Sequence, residues 1–218
     1  MPARELGSVP ARRTKGPSMR RLLATVAIIL AGASPLLAAD GEPARVRGTI
    51  ESVSDTSLSV VSREGPTVSI AITPETAVRG VKAAKAEDIK AGDFVGVASV
   101  PAAAGGDGAL EVLIFPAAMK GTGEGSYPWD LQEGSTMTNA TVSNAVEGVD
   151  GRSLTLTYPE GSKTIALPDG IPVVTFAEAT KADLVKGATV FVPAKKAADG
   201  TLSTGFVVVG TNGVVPPM

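Results

Sequence analysis

The sequence predicts an all-β fold of two tandem, small, five-stranded barrels, and three observations carry that reading. First, the chain repeats itself: Glu51, Val53, Ser57, Leu58, Glu64 and Gly65 return 96 positions later as Glu147, Val149, Ser153, Leu154, Glu160 and Gly161. The offset becomes 95 for Ile70, Val78, Asp88, Gly92 and Val95 against Ile165, Val173, Asp183, Gly187 and Val190, then 92 for Asp107, Gly108 and Leu110 against Asp199, Gly200 and Leu202. Offsets that change only in turn-like stretches are those of a duplicated unit with loop deletions. Second, short β-branched runs alternate with period two between Gly-rich turns, the pattern of strands with one buried face. Third, the single helix-forming stretch of each copy falls at the same place, between its third and fourth strands.

In the first copy the strands are predicted at 46–53, 58–60, 68–72, 94–97 and 110–114. Ser54-Asp55-Thr56, Arg63-Glu64-Gly65 and Gly105-Gly106-Asp107-Gly108 supply the turns between them. The second copy repeats the plan around Val149-Asp150-Gly151, Pro159-Glu160-Gly161 and Ala198-Asp199-Gly200. Residues 83–90 and 179–186 are rich in Ala, Lys and Glu, carry Asp88-Ile89 or Asp183-Leu184, and stop at Gly92 or Gly187, which predicts a short helix ended by Gly. Three strands, a short helix and two strands is the order of an OB-like barrel. The expected organisation is a leader over 1–39, a first OB-like domain over 40–115, a connector over 116–140, a second domain over 141–212 and a tail over 213–218. With five Phe, two Tyr and one Trp in the whole chain, the cores are built from Val, Ile, Leu and Ala, and the Phe belong to them.

Charge is unevenly placed. The chain has 20 basic and 22 acidic side chains, but residues 1–39 hold Arg4, Arg12, Arg13, Lys15, Arg20 and Arg21 against Glu5 alone, which leaves −7 on the remainder. Arg20-Arg21, the apolar run 22–33 and Ser34-Pro35-Leu36-Leu37-Ala38-Ala39 form the charged, apolar and small-residue regions of a signal peptide. Cleavage is expected near Ala39, Met19 is an alternative start to Met1, and the mature protein is expected in the periplasm without stable membrane insertion. An uncleaved anchor is the competing reading, although the run falls short of the roughly 20 residues that span a bilayer. An acidic body argues against nucleic-acid partners, whose phosphates call for Lys and Arg.

The absence of His and Cys removes Ser-His-Asp and Cys-His catalysis, thiolate and imidazole metal sites, and disulfides. No catalytic residues, cofactor or metal site are therefore assigned. Chemistry concentrates in the connector, which has no counterpart in the repeat and contains the only Trp. Two readings of it stand side by side. Either Trp129 and Leu131 plug the joint between the copies, or Glu124, Tyr127, Trp129 and Asp130 bind a ligand or partner. Gly121-Thr122-Gly123-Glu124-Gly125-Ser126 lacks the closing Gly-Lys-Ser/Thr of a phosphate cradle. Met119 and Met137 flank the loop as soft atoms that suit copper or, more simply, fill gaps.

The run Gly-Thr-Ile-Glu-Ser-Val-Ser over 48–54, Ala-Glu-Asp-Ile-Lys-Ala-Gly-Asp-Phe-Val-Gly-Val over 86–97, Pro128-Trp129-Asp130-Leu131 and the Pro-Pro-Met end resemble a bacterial family of exported OB-like domains of unknown function. Relatives are often labelled metal ABC transporter permeases, so the resemblance implies an association with metal transport. This chain lacks the several apolar helices of a permease and has Ser126 where relatives have His. The function expected is a non-enzymatic periplasmic protein that contacts an envelope protein or a small ligand. The alternative is an accessory to metal transport that binds a divalent ion through carboxylates such as Glu124 and Asp130.

Overall fold

The computed structural model describes residues 41–103, 105–148 and 151–217. The expected signal peptide lies outside the described residues. Among them no helix is long and apolar enough to cross a membrane.

The first copy contributes β1 (Glu42–Val53), β2 (Ser57–Ser62), β3 (Thr67–Ala71), β4 (Ala77–Ala83), β5 (Phe94–Pro101) and β6 (Asp107–Ile114). The connector adds β7 (Gly125–Pro128). The second copy contributes β8 (Thr136–Gly148), β9 (Gly151–Tyr158), β10 (Gly161–Leu167), β11 (Val173–Glu178), β12 (Thr189–Lys196), β13 (Leu202–Ser203) and β14 (Phe206–Gly210). The expected strands are all present. Each copy also has one more, β4 or β11; Arg79, Gly80 and Lys82 break the apolar pattern of β4.

The strand ladders close across the copies rather than within them. β1, β2 and β3 form a meander, β3 pairs in parallel with β13, and β12 joins β13 to β1, which closes one ring. The other ring is β8, β9, β10, then β6 in parallel with β10, then β5 back onto β8. Each ring thus takes its first three strands from one copy and its last two from the other. The boundaries 40–115 and 141–212 therefore mark two copies in sequence, not two closed barrels. The physical reason is that exchanging equivalent strands between copies keeps every contact of the parent unit at little cost. The exchange also adds new contacts where β4 and β11 cross from ring to ring.

β4 and β11 pair antiparallel, with Val81 opposite Phe176, and these two occupy equivalent positions in the repeat. A pseudo-twofold axis therefore passes between them. On either side β14 pairs in parallel with β4, and β6 with β11. The ladders also correct one sequence equivalence. Ile50 pairs with Val60 as Val142 pairs with Leu156, so β1 matches β8 at an offset of 92 while β2 matches β9 at 96. The β8–β9 hairpin is longer, and Glu51 has its structural counterpart at Ser143, not at Glu147.

Each ring has its own aliphatic core of mixed parentage. Ile50, Leu58, Val60 and Ile70 pack with Leu184, Val190, Val192 and Val207 in one; Ile89, Val95 and Val97 pack with Val142, Leu154, Leu156 and Ile165 in the other. Full burial of each such side chain stabilises by about 1.5–3 kcal/mol. The expected helices are corrected to single turns of 3-10 helix at Ala86–Asp88 and Lys181–Asp183. Asp88 and Asp183 accept from the backbone N–H of Lys85 at 2.8 Å and Thr180 at 2.7 Å, which caps each turn at its start, and the non-helical backbone of Ile89 and Leu184 ends it. The following Ile89 and Leu184 each seal the core of the ring that the other copy began.

The aromatic residues lie elsewhere. Phe115, Phe176, Phe191, Phe206 and Trp129 join Val81, Leu113, Val174 and Val208 in a third cluster at the joint between the rings, and Phe94 packs edge-on against Phe115 at 5.3 Å between ring centroids. Apart from Tyr158, which packs against the core of the second ring, these large flat side chains hold the two rings together.

Candidate functional site

The connector leaves β6 at Phe115, makes one 3-10 turn over Ala117–Met119 and returns as β7, which pairs antiparallel with β8. This pairing sets Tyr127 opposite Met137 and Gly125 opposite Asn139. Trp129 follows two residues after Tyr127, and Ser135 then closes the loop 129–135: its hydroxyl donates to the carbonyls of Trp129 and Gln132 at 3.0 and 2.8 Å.

Both rings hold this segment. On one side Arg45 and Arg47, from β1, reach Asp130 with N–O distances of 3.5 and 2.7 Å. The Arg45 guanidinium lies 4.0 Å from the centre of the Trp129 ring, and Arg47 lies 5.3 Å from that of Phe191. Such stacking exploits the negative face of the ring. On the other side buried Asn139, from β8, donates its amide hydrogens to the carbonyls of Thr122 and Gly123 at 3.3 and 3.2 Å and to the Tyr127 hydroxyl at 3.1 Å. Gly96 makes room for this, since a Cβ there would stand 2.7 Å from the Asn139 side-chain oxygen.

Between these attachments lies a cavity of about 40 Å³, lined by Phe115, Tyr127, Trp129, Met137, Asn139 and Pro217 among others. That is room for a water or a small chemical group. The indole N–H of Trp129 is buried and has no hydrogen-bond acceptor, although a buried donor left unmatched costs about 1–3 kcal/mol. Burial raises the Tyr127 hydroxyl above its usual range, against the opposing charge of Arg45. Burial would also raise Asp130, but the hydrogen bond and charge of Arg47, with the charge of Arg45, outweigh it and hold the carboxyl below its ordinary value.

Of the four connector residues singled out from sequence, the structure brings Tyr127, Trp129 and Asp130 together; the Tyr127 and Trp129 ring centroids are 6.0 Å apart. Glu124 stands exposed on the turn before them. Trp129 is also part of the joint cluster, as a plug would be. Met137 is buried and lines the cavity, and Met119 lies outside it. Among the described residues no three His, Cys, Asp or Glu side chains are grouped to hold a metal ion. Sequence reasoning missed Arg45, Arg47, Asn139 and Pro217. Two arginines in a strand beginning an apolar barrel were the available signal, with Trp129-Asp130 as the group they would answer.

Residues 47–111 match a domain family described as a domain of unknown function, DUF5666. The matched stretch contains strands of both rings and leaves out the connector. No curated protein and no solved structure matches the chain.

Proposed function

We propose that this is a non-enzymatic binding protein of the periplasm, and that the connector is where it meets its ligand or partner. The observation that carries the reading is the buried Trp129 N–H, without a hydrogen-bond acceptor, at the wall of a small aromatic cavity that Glu111 also lines. Support for export comes from the basic, apolar and small-residue pattern before Asp40. Support for the OB-like reading comes from the ring order: first, second, third, last, fourth, with the first and fourth side by side.

The carboxylate reading, in which Glu124 and Asp130 bind a divalent ion for a transport system, is less well supported. Asp130 is already engaged by two guanidinium groups, and an arriving cation would have to displace them. Intrinsic fluorescence tests the choice directly because Trp129 is the only Trp. A panel of divalent ions, small organic acceptors and envelope-protein fractions is titrated against the protein, with thermal unfolding read in parallel. A saturable Trp129 shift and a raised Tm with an organic or protein ligand supports the proposal. A response to a divalent ion that Asp130→Asn abolishes replaces it with the metal reading.

A further inference from the structure

Resting on the binding reading above, we infer that the outer edge of β7 is a docking edge, which an extended, basic segment of a partner protein joins as an added strand. An open strand edge, flanked by acids, lies there beside Tyr127 and Trp129.

Backbone hydrogen bonding decides which edge is open. Among the described residues every strand has at least two ladder partners except β7, which has β8 alone. The exchange of strands between copies closes both rings, and the connector carries the edge that remains. The Trp129 N–H donates to the Ser135 carbonyl at 2.8 Å, and that pair continues the register of Tyr127 with Met137 and Gly125 with Asn139. In an antiparallel ladder, hydrogen-bonded pairs alternate with pairs whose backbone groups point away. The N–H and carbonyl of Ser126 and the carbonyl of Pro128 therefore face outward. Pro128 sits where a strand tolerates it, with its nitrogen on the free side. Ser126 and Pro128 are both exposed, so the edge faces solvent as the fold stands.

The surroundings select the partner. An open edge is a template for another chain, and side chains decide which chain it accepts. The connector carries Glu124, Asp130 and Glu133 against Lys120, and Glu124 and Glu133 are exposed. Glu160, in the turn between β9 and β10, stands at the start of the edge, its Oε2 3.8 Å from where a Cβ on Gly125 would lie. A second copy would bring the same acids to the same edge, where like charges repel, and its Pro128 would have no N–H to give. A basic segment meets opposite charge and supplies the missing donors. Ser126 and Pro128 present one face of β7 and Tyr127 the other, so the segment that fits alternates basic with apolar residues. Its apolar side chains lie along the half-buried Tyr127 ring, 6.0 Å from that of Trp129.

The probe is a capped heptapeptide of alternating lysine and valine, set against the same peptide N-methylated throughout and against a version with glutamate for lysine. N-methylation keeps every charge and removes the N–H donors. Binding to the full chain is read from Trp129 emission at low salt. The intact chain binds the lysine peptide saturably and the other two at least about tenfold more weakly, the scale of a hydrogen bond or charge contact left unmade. Glu124→Lys/Glu160→Lys weakens the lysine peptide by a similar factor. Ser126→Pro, which takes away the outward N–H, does the same; should it lose its fold, the methylated peptide on the intact chain still tests the ladder. An intact chain that ignores the lysine peptide, or that takes the methylated one equally well, overturns the inference, and so does a charge-reversed chain that binds unchanged. A concentration-dependent dimer of the intact chain that Ser126→Pro abolishes overturns it too, by making the occupant a second copy of this chain. A chain that ignores the peptide but answers to a compound of the ligand panel loses the strand inference alone; one that answers to neither loses the binding reading as well.

Discussion

Arg47 and Asn139 occupy the same place in the two rings: Arg47 pairs with Phe191 across one ladder, and Asn139 pairs with Gly96 across its equivalent. One position carries a guanidinium beside a large aromatic ring, and the other a neutral amide beside no side chain at all. Each uses its chemistry on the connector, through an ion pair and stacking on one face and through three amide hydrogen bonds on the other. Duplication gives two identical surfaces, and the connector meets two different ones. The difference shows that divergence here was spent on the joint, while Leu58 and Leu154, at the centres of the two rings, stayed the same residue, each with no exposed surface.

The greatest effect would come from a test of the exchange on which this symmetry rests. A protease site introduced between Gly121 and Glu124 cuts the only chain link between the copies. With exchanged strands, the two pieces remain one particle through native size-exclusion chromatography and separate only in denaturant. Two self-contained barrels would come apart on the column, and that result would break the comparison at its root.

Next come the ring cores. Leu58→Ala and Leu154→Ala each cost about 2–5 kcal/mol, and because each ring contains strands of both copies, each lowers one shared unfolding transition. Chemical denaturation followed by circular dichroism and by Trp129 fluorescence checks this. Coincident midpoints for both probes in both variants are expected. A core mutation that splits the transition would show that the rings unfold independently.

Much of this was legible in the residues and some was not, for reasons that can be named. Period-two runs such as Leu58-Ser59-Val60 and Val68-Ser69-Ile70 report burial of one face, so the strands were readable. β4 was not, because Arg79, Gly80 and Lys82 interrupt its pattern where it faces the joint. The exchange leaves no trace in any local pattern at all: equivalent strands offer equivalent faces, so hydrophobic periodicity is satisfied whichever copy supplies the partner. Trp129 and Asp130 stood out by rarity and by their place outside the repeat. Asn139 and Pro217 did not, since their roles come from what a distant segment brings to them.

The two attachments of the connector should differ in strength. Arg47→Ala removes a short charge-assisted contact to Asp130 and the packing over Phe191, a loss of about 1.5–3 kcal/mol. Lys at this position would not restore it, since the planar guanidinium makes both contacts at once. Asn139→Ala, which removes neutral hydrogen bonds, costs about 1–2 kcal/mol. Equal losses, measured as differences in denaturation midpoint, would mean that charge contributes nothing special on the arginine side.

The smallest effect is the most diagnostic for the electrostatics of the site. The folded protein holds the Asp130 carboxyl below its ordinary range because Arg47 and Arg45 outweigh the burial that would raise it. A group depressed in this way stabilises the fold at pH values above its unfolded pKa, and the contribution is lost as the pH falls through the folded one. The Asp130 side chain is 48% exposed, so solvent screening keeps its worth to about 1 kcal/mol or less. Wild type should therefore melt slightly above Asp130→Asn at pH 7, the gap should narrow below about pH 4, and raised salt at pH 7 should narrow it in the same sense. A gap that persists unchanged at low pH would show that Asn loses the carboxylate's shape and hydrogen bonding rather than its charge. The arginine side of the joint would then differ from the amide side by fit, not by electrostatics.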